Sequence, residues 1–206
     1  MTEDFKHYTV MKNEAVDALN CRDGLIYVDC TLGGGGHSEL ILKRIQPNGR
    51  LISFDVDDDA IKAASERLKD YKNLTIVKNS YTNIKEVLKN LGIKKITGGI
   101  LFDLGASYHQ LTKAERGFSF SKDAPLDMRF DQSAELTAYD VVNTYSENDL
   151  VQIFSEYGEE RFSKRIAKAI VEQRQKEKIK TTLQLANLIV QYCLLILMDL
   201  PLFHTS

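Results

Sequence analysis

Short apolar runs separated by helical stretches organise the first half of this chain. Leu25-Ile26-Tyr27-Val28 is a β-favouring run ending in Asp29, and Leu51-Ile52-Ser53-Phe54 is a second one ending in Asp55. Leu74 to Val77 reads as a third strand, and Ile100-Leu101-Phe102 as a fourth, closed by Asp103. Between them the apolar period lengthens to that of a helix. One helical stretch opens at Ser38, and a second repeats Ala60, Ile61, Ala64 and Leu68 with charges between. A third carries Ile84, Val87, Leu88 and Leu91 and stops at Gly92. Strand–helix alternation at this spacing predicts a parallel, doubly wound α/β sheet. Ligands in such sheets bind outside the carboxyl ends of the strands. Three of these four ends carry an aspartate, at positions 29, 55 and 103.

Beyond Asp103 the pattern changes. Residues 105–135 show little periodicity and read as loop, after which the signals are helical. Ser146-x-x-Asp149 resembles a capping box. Leu150, Ile153, Phe154 and Tyr157 then share one predicted face, and Gly158 ends the helix. Phe162, Ile166, Ala169 and Ile170 give the next helix its apolar face, with Arg161, Lys164, Arg165 and Lys168 outside it. Thr181-x-x-Gln184 opens a last helix with Leu185, Leu188, Ile189 and Tyr192 inward. The expected organisation is an α/β domain over 1–108, a helical substrate-recognition subdomain over 109–193, and a tail over 194–206.

Composition narrows the class. The chain has 206 residues, 43% hydrophobic and 27% charged, which suits one globular domain with an insertion and excludes disorder. Cys21, Cys30 and Cys193 form no C-x-x-C, so neither a disulfide framework nor a zinc ribbon is expected, and no metal site. Met1-Thr2-Glu3-Asp4 lacks the features of a leader, and the apolar stretch from Leu188 to Met198 is too short to cross a bilayer. A cytoplasmic protein without membrane contact is the expectation. Net charge is −2, but it is unevenly spread: residues 109–157 hold nine acids and four bases, whereas residues 158–180 hold four acids and eight bases. Such a basic stripe is either a solvated helix face or what a phosphate backbone needs.

Asp29-Cys-Thr-Leu-Gly-Gly-Gly-Gly-His37-Ser38 lies between a strand and a helix. Glycines there permit close backbone approach, and a helix start favours electron-rich ligand groups. Asp55, ending the second strand, is placed to accept ribose hydroxyls. A ribose-bearing cofactor is expected, although a glycine turn without a ligand has the same sequence. A dinucleotide wants G-x-G-x-x-G, which is matched only in part because Ser38 stands at the third glycine position. An acidic Asp29 suits the ammonium and sulfonium of S-adenosylmethionine and would repel a pyrophosphate. The chemistry favours S-adenosylmethionine, with a nicotinamide-dependent oxidoreductase as the rival.

Four motifs occur together and in order: Thr31-Leu-Gly-Gly-Gly-Gly-His-Ser38, Phe102-Asp-Leu-Gly-Ala-Ser107, Arg116-Gly-Phe-Ser-Phe-x-x-Asp-x-Pro-Leu-Asp-Met-Arg129 and Tyr157-Gly-Glu-Glu-Arg161. Jointly they resemble the bacterial small-subunit (16S) rRNA cytosine-N4 methyltransferase family, from residue 7 to about residue 190. The resemblance implies a Rossmann-like class I S-adenosylmethionine-dependent methyltransferase sheet, incomplete on its C-terminal side, with an inserted helical subdomain. It also implies methylation of the exocyclic amine of a decoding-centre cytosine within the small ribosomal subunit. Cofactor contacts implied by the resemblance are Gly35, Gly36, His37, Asp55, Tyr81, Asp103 and Gln110, with Asp103 catalytic. Asp127 and Arg129 are expected on the target side, and Arg161, Lys164, Arg165 and Lys168 on rRNA phosphates. Cys30, beside the glycine loop, reads as packing rather than as the thiolate that cytosine C5 chemistry needs.

Three positions depart from the family: Thr9 where a proline is usual, Tyr108 where a second serine is common, and Phe130 in place of a methionine. The family chain continues well past this length, and residues 194–206 match nothing in that continuation. An inactive fragment retaining cofactor or ribosome affinity is therefore a second reading. The unpaired fourth strand would be open to another chain, which makes a homodimer an expected partner.

Overall fold

The computed structural model describes residues 9–198, with side chains through Tyr192. The described chain forms two compact units. One takes the residues up to His109 together with Phe130–Gln132, and the other takes Gln110–Arg129 and the chain from Ser133 onward. The first unit thus ends at His109 and takes back three residues, Phe130–Gln132.

The first unit is built on four parallel strands: β1 (Ile26–Asp29), β2 (Arg50–Asp55), β3 (Leu74–Lys78) and β4 (Ile100–Leu101), in the order β3-β2-β1-β4. Register is fixed by pairs such as Ile26 with Arg50, Leu51 with Leu74, and Val28 with Ile100. Each predicted strand is present. The fourth is two residues long: among the described residues it pairs with β1 alone, and Phe102 already lies beyond it.

Helices α1 (Lys12–Ala18), α2 (Gly36–Arg44), α3 (Asp58–Arg67) and α4 (Ile84–Asn90) flank the sheet. Successive strand residues point to opposite faces, so Tyr27 and Leu51 join one core with Ile41 and Leu42 of α2 and Ala64 of α3. Val28, Ile52 and Phe54 join another core with Leu88 of α4. The crossovers through α2 and α3 therefore cover one face and that through α4 the other. The chain reverses direction across the sheet between β1 and β4, and such a reversal opens a crevice at the carboxyl ends of the two strands.

The second unit contains α5 (Tyr108–Thr112, shared at the boundary), α6 (Ala138–Thr144), α7 (Glu147–Gln152), α8 (Ser163–Lys176) and α9 (Thr182–Met198). Its core joins Val142, Leu150, Ile166 and Ile170 with Leu188. The Ser146–Asp149 capping box is present in both directions, and Thr137 and Asp140 form a second one at α6. At α9, Gln184 Oε1 accepts from the Thr181 N–H while Thr181 Oγ1 accepts from the Gln184 N–H. Arg174 donates to the Val142 and Tyr145 carbonyls and Lys178 to that of Asn143. Cations thereby satisfy the otherwise orphaned carboxyl end of α6.

One expectation is corrected here. Tyr157 does not share the inward face of Leu150 and Phe154: the backbone from Ile153 to Tyr157 winds as a π-helix, which turns Tyr157 outward to 81% exposure. Residues 199–206, most of the expected tail, lie outside the described residues. Among the described residues no helix is long and apolar enough to cross a membrane.

Candidate active site

The loop after β1 is shaped by its glycines. Gly33 and Gly35 adopt φ of +49° and +78°, a region open to glycine at little cost. Gly35 immediately precedes α2, and a Cβ there would meet Leu68 Cδ1 at 3.0 Å. A Cβ on Gly36 would lie 1.9 Å from Thr9 Oγ1. Gly35 and Gly36 are buried, Gly33 half-buried. The helix begins at Gly36, two residues before the sequence signal, with left-handed Gly35 as its N-cap.

The three aspartates play different parts. Asp29 is fully buried; its carboxylate accepts from the Thr31 N–H at 3.0 Å and from Ser38 Oγ at 2.7 Å. Burial pushes its pKa up, against those hydrogen bonds. It therefore braces the loop from within, and the expectation that it faces the positive groups of a cofactor is corrected: the hydroxyl of Ser38, itself bonded to Ser53 Oγ, draws it inward. Asp55 is half-buried and ties the loop to β2, accepting from the Gly33 N–H at 2.8 Å and from the Val56 and Asp57 N–H groups. Burial raises its pKa as well.

Asp103 keeps its side chain 39% exposed at the reversal point. Its N–H donates to Thr31 Oγ1 at 2.8 Å, which joins the ends of β1 and β4. Its Oδ2 is 3.8 Å from Nδ1 of His37 on α2. His37 is 4% exposed, and its Nε2 is buried without a partner among the described residues. A buried unmatched nitrogen beside a half-exposed carboxylate is unusual in a finished core.

Tyr81, in the turn after β3, meets Phe102 edge-on, with ring centroids 5.5 Å apart. Both aromatics are exposed, 38% and 52%. The loop, Asp55, Tyr81, His37 and Asp103 thus all belong to the first unit and gather at one edge of its sheet. Gln110 is buried on α5 in the second unit.

Cys30 is 3% exposed within the core, and burial followed by the charge of Asp29 pushes its thiol up to about 12. It is a packing residue without thiolate character.

In the second unit the expected target-side pair, Asp127 and Arg129, is joined by an ion pair. The Arg129 guanidinium holds Asp127 through two bonds and also donates to the Ala134 carbonyl. Its charge is matched by Asp127 within the unit. Arg116, fully buried, donates to the Arg129 carbonyl at 3.0 Å and was not anticipated as a brace. Arg161, Lys164, Arg165 and Lys168 are all exposed.

A parallel sheet with this reversal, a glycine loop after its first strand and a carboxylate after its second define a Rossmann-like α/β protein of the nucleoside-binding kind. The particular family follows from sequence. Residues 4–195 match the MraW methylase family, and the chain belongs to it. It is 52% identical over 186 residues to ribosomal RNA small subunit methyltransferase H of Clostridium botulinum (strain Loch Maree / Type A3), covering 90% of this chain and 60% of that one. With the protein of the same name from Brevibacillus brevis it is 52% identical over 189 residues, covering 91% and 60%. The chain thus spans about 60% of the length of these curated relatives. Among solved structures, an rRNA methylase from Streptococcus thermophilus aligns at 24% identity with a TM-score of 0.39, covering 45% of this chain and 53% of that one.

Proposed function

We propose that this chain is the cofactor-binding unit and helical insert of a cytoplasmic enzyme that methylates the exocyclic N4 amine of a cytosine in the decoding centre of 16S rRNA, within the small ribosomal subunit. Family membership supports the methyl-transfer class, and the names of the relatives support the small-subunit rRNA substrate. The observation that carries the site assignment is the half-exposed Asp103 at the β1/β4 reversal, tied to the glycine loop through Thr31.

S-adenosylmethionine, when bound, supplies an electrophilic methyl on a sulfonium. The residues present fit it. Asp55 has carboxylate lone pairs beyond its three backbone donors and is placed to receive ribose hydroxyls. Tyr81 offers a ring at the edge beyond β3 for an adenine. The unmatched Nε2 of His37 is a polar group awaiting a partner.

The amine of cytosine is a weak nucleophile, because its lone pair is delocalised into the ring. A carboxylate at position 103 accepts a hydrogen bond from an N4 proton, favours pyramidalisation as the new N–C bond forms in exchange for the donor's S–C bond, and is placed to receive the proton that the amine then loses. Asp103 is fixed from both sides, by Thr31 through its N–H and by His37 beside its Oδ2, so positioning is its main contribution. The target base must be unstacked to reach this edge.

A second reading is favoured by one specific observation: among the described residues β4 is a two-residue strand paired with β1 alone. A polypeptide of this kind would bind cofactor or ribosome without turnover, and its open edge would support a homodimer. Incubation with tritiated S-adenosylmethionine and small subunits lacking the modification separates the readings. Label recovered as N4-methylcytidine supports the enzyme. One-to-one cofactor binding without label supports the second reading, and label on another base contradicts the substrate assignment.

A further inference from the structure

The corner between α7 and α8 combines three irregular backbone features with the most exposed aromatic side chain described for this protein. After Gln152 the backbone winds as a π-helix to Tyr157, closed by a bond from the Gly158 N–H to the Ile153 carbonyl. Gly158 has no room for a side chain, since a Cβ would lie 2.8 Å from the Phe154 carbonyl oxygen. Glu159 then adopts φ +49°, a left-handed conformation that a residue with a Cβ enters at a cost. The Glu160 N–H returns to the Phe154 carbonyl at 2.9 Å, and the Glu160 carboxylate accepts from the Phe162 N–H at 2.8 Å. These bonds hold a turn whose outcome is to leave Tyr157 81% exposed. A regular α-helix would have kept it beside Phe154. Irregular windings and strained residues persist where the surroundings over-determine them, and they concentrate at working surfaces.

The charge around this corner indicates what covers it. Arg161 follows the turn, and Lys164, Arg165 and Lys168 continue outward along α8. Arg161, Lys164 and Arg165 make no side-chain bond to any described residue, and Lys168 faces only Glu172, at 3.8 Å. The nearby carboxylates keep their charge but are engaged within the protein, Glu156 by Gln152, Glu160 by the backbone and Glu172 beside Lys168, and over residues 158–180 eight bases outnumber four acids. An exposed aromatic face followed by free cations is the combination that single-stranded nucleic acid uses, one element for a base and the other for phosphates.

We propose that Tyr157 is a stacking platform for an unpaired base of single-stranded RNA, with Arg161, Lys164, Arg165 and Lys168 tracking the phosphates beside it. This rests on the RNA substrate proposed above and adds how the second unit holds the strand.

The test is fluorescence anisotropy of the whole chain with a short labelled single-stranded RNA and with a blunt duplex, each over a series of salt concentrations. Tyr157→Ala and Tyr157→Leu are expected to weaken single-strand binding roughly tenfold, with the salt slope and the duplex affinity unchanged. Tyr157→Phe keeps the ring and should bind as the parent does. Lys164→Gln combined with Lys168→Gln should flatten the salt slope while the Tyr157 effect persists. If Tyr157→Ala and Tyr157→Leu bind as tightly as the parent, the platform is refuted and the RNA reading stands. An equal loss on duplex and single strand refutes stacking. If the parent chain shows no salt-dependent affinity for either RNA, both the platform and the RNA substrate fall.

Discussion

Replacing Gly35 with alanine would test how the glycine loop is held, and the size of the effect can be worked from the structure. Gly35 sits at φ +78° immediately before α2. The left-handed region costs an L-residue about 1–2 kcal/mol. The new Cβ would also come 3.0 Å from Leu68 Cδ1 and 3.3 Å from Ala64 Cβ, two side chains at 2% and 0% exposure that have little space to retreat. Overpacking of this kind adds about 1–3 kcal/mol. Gly24 provides an internal control, because it has nearly the same φ, +76°, with nothing within 4 Å of its Cβ position. Gly24→Ala should therefore show the conformational cost alone. The gap between the two variants isolates the packing cost, about 2 kcal/mol. In urea unfolding followed by far-ultraviolet circular dichroism, that gap corresponds to roughly 1 M in the midpoint at an ordinary slope. Coincident midpoints for the two variants would refute the packing of the loop against Leu68 and Ala64.

Three further expectations concern the same unit. Asp29→Asn keeps an acceptor for the Thr31 N–H while removing a buried charge, so its stability should stay within about 1 kcal/mol of the parent, whereas Asp29→Ala orphans two donors and should cost about 2–4 kcal/mol in the same urea assay. Equal losses would contradict the bracing role. Cys30, with its thiol pushed up to about 12, should resist iodoacetamide in the native protein and react once urea is added; a native alkylated peptide found by mass spectrometry would contradict its burial. Hydrogen bonds from Lys43 and then Arg67 pull the Glu39 carboxyl down from 4.5 to about 2, so the folded state favours its ionised form. That stability is present above pH 4.5 and is lost as pH falls toward 2. Glu39→Gln should thus be less stable than the parent near neutrality, with the gap narrowing through this window, and a gap that does not change with pH would contradict the ion cluster.

What the sequence made legible was what local physics determines. The runs at Ile26, Leu51 and Leu74 are strands because their alternation serves both faces of a covered sheet, and the Ser146 and Thr181 caps are local pairs three residues apart. Helix α1 gave no such signal: only Val16 on it is buried, and Met11 before it is left-handed with no capping bond. The π-winding at Ile153–Tyr157 was equally hidden, since its apolar spacing suits an ordinary helix and the decisive bond comes from Gly158. At the site, sequence placed the aspartates on the right strand ends but could not tell which way each carboxylate turns. Asp29 is drawn inward by Ser38, nine residues later, while Asp103 is left half exposed. The ion pair between Arg129 and Asp127, two residues earlier, has no signature in the sequence either.

The most direct measurement for the account as a whole is calorimetric titration of S-adenosylmethionine into this polypeptide and into its Asp55→Asn variant. One-to-one binding by the parent chain is expected, weakened at least roughly tenfold in the variant, the scale of a lost charge-assisted hydrogen bond. No heat of binding from a folded parent, or equal affinities in the two proteins, would contradict the assignment of this sheet edge as the cofactor site.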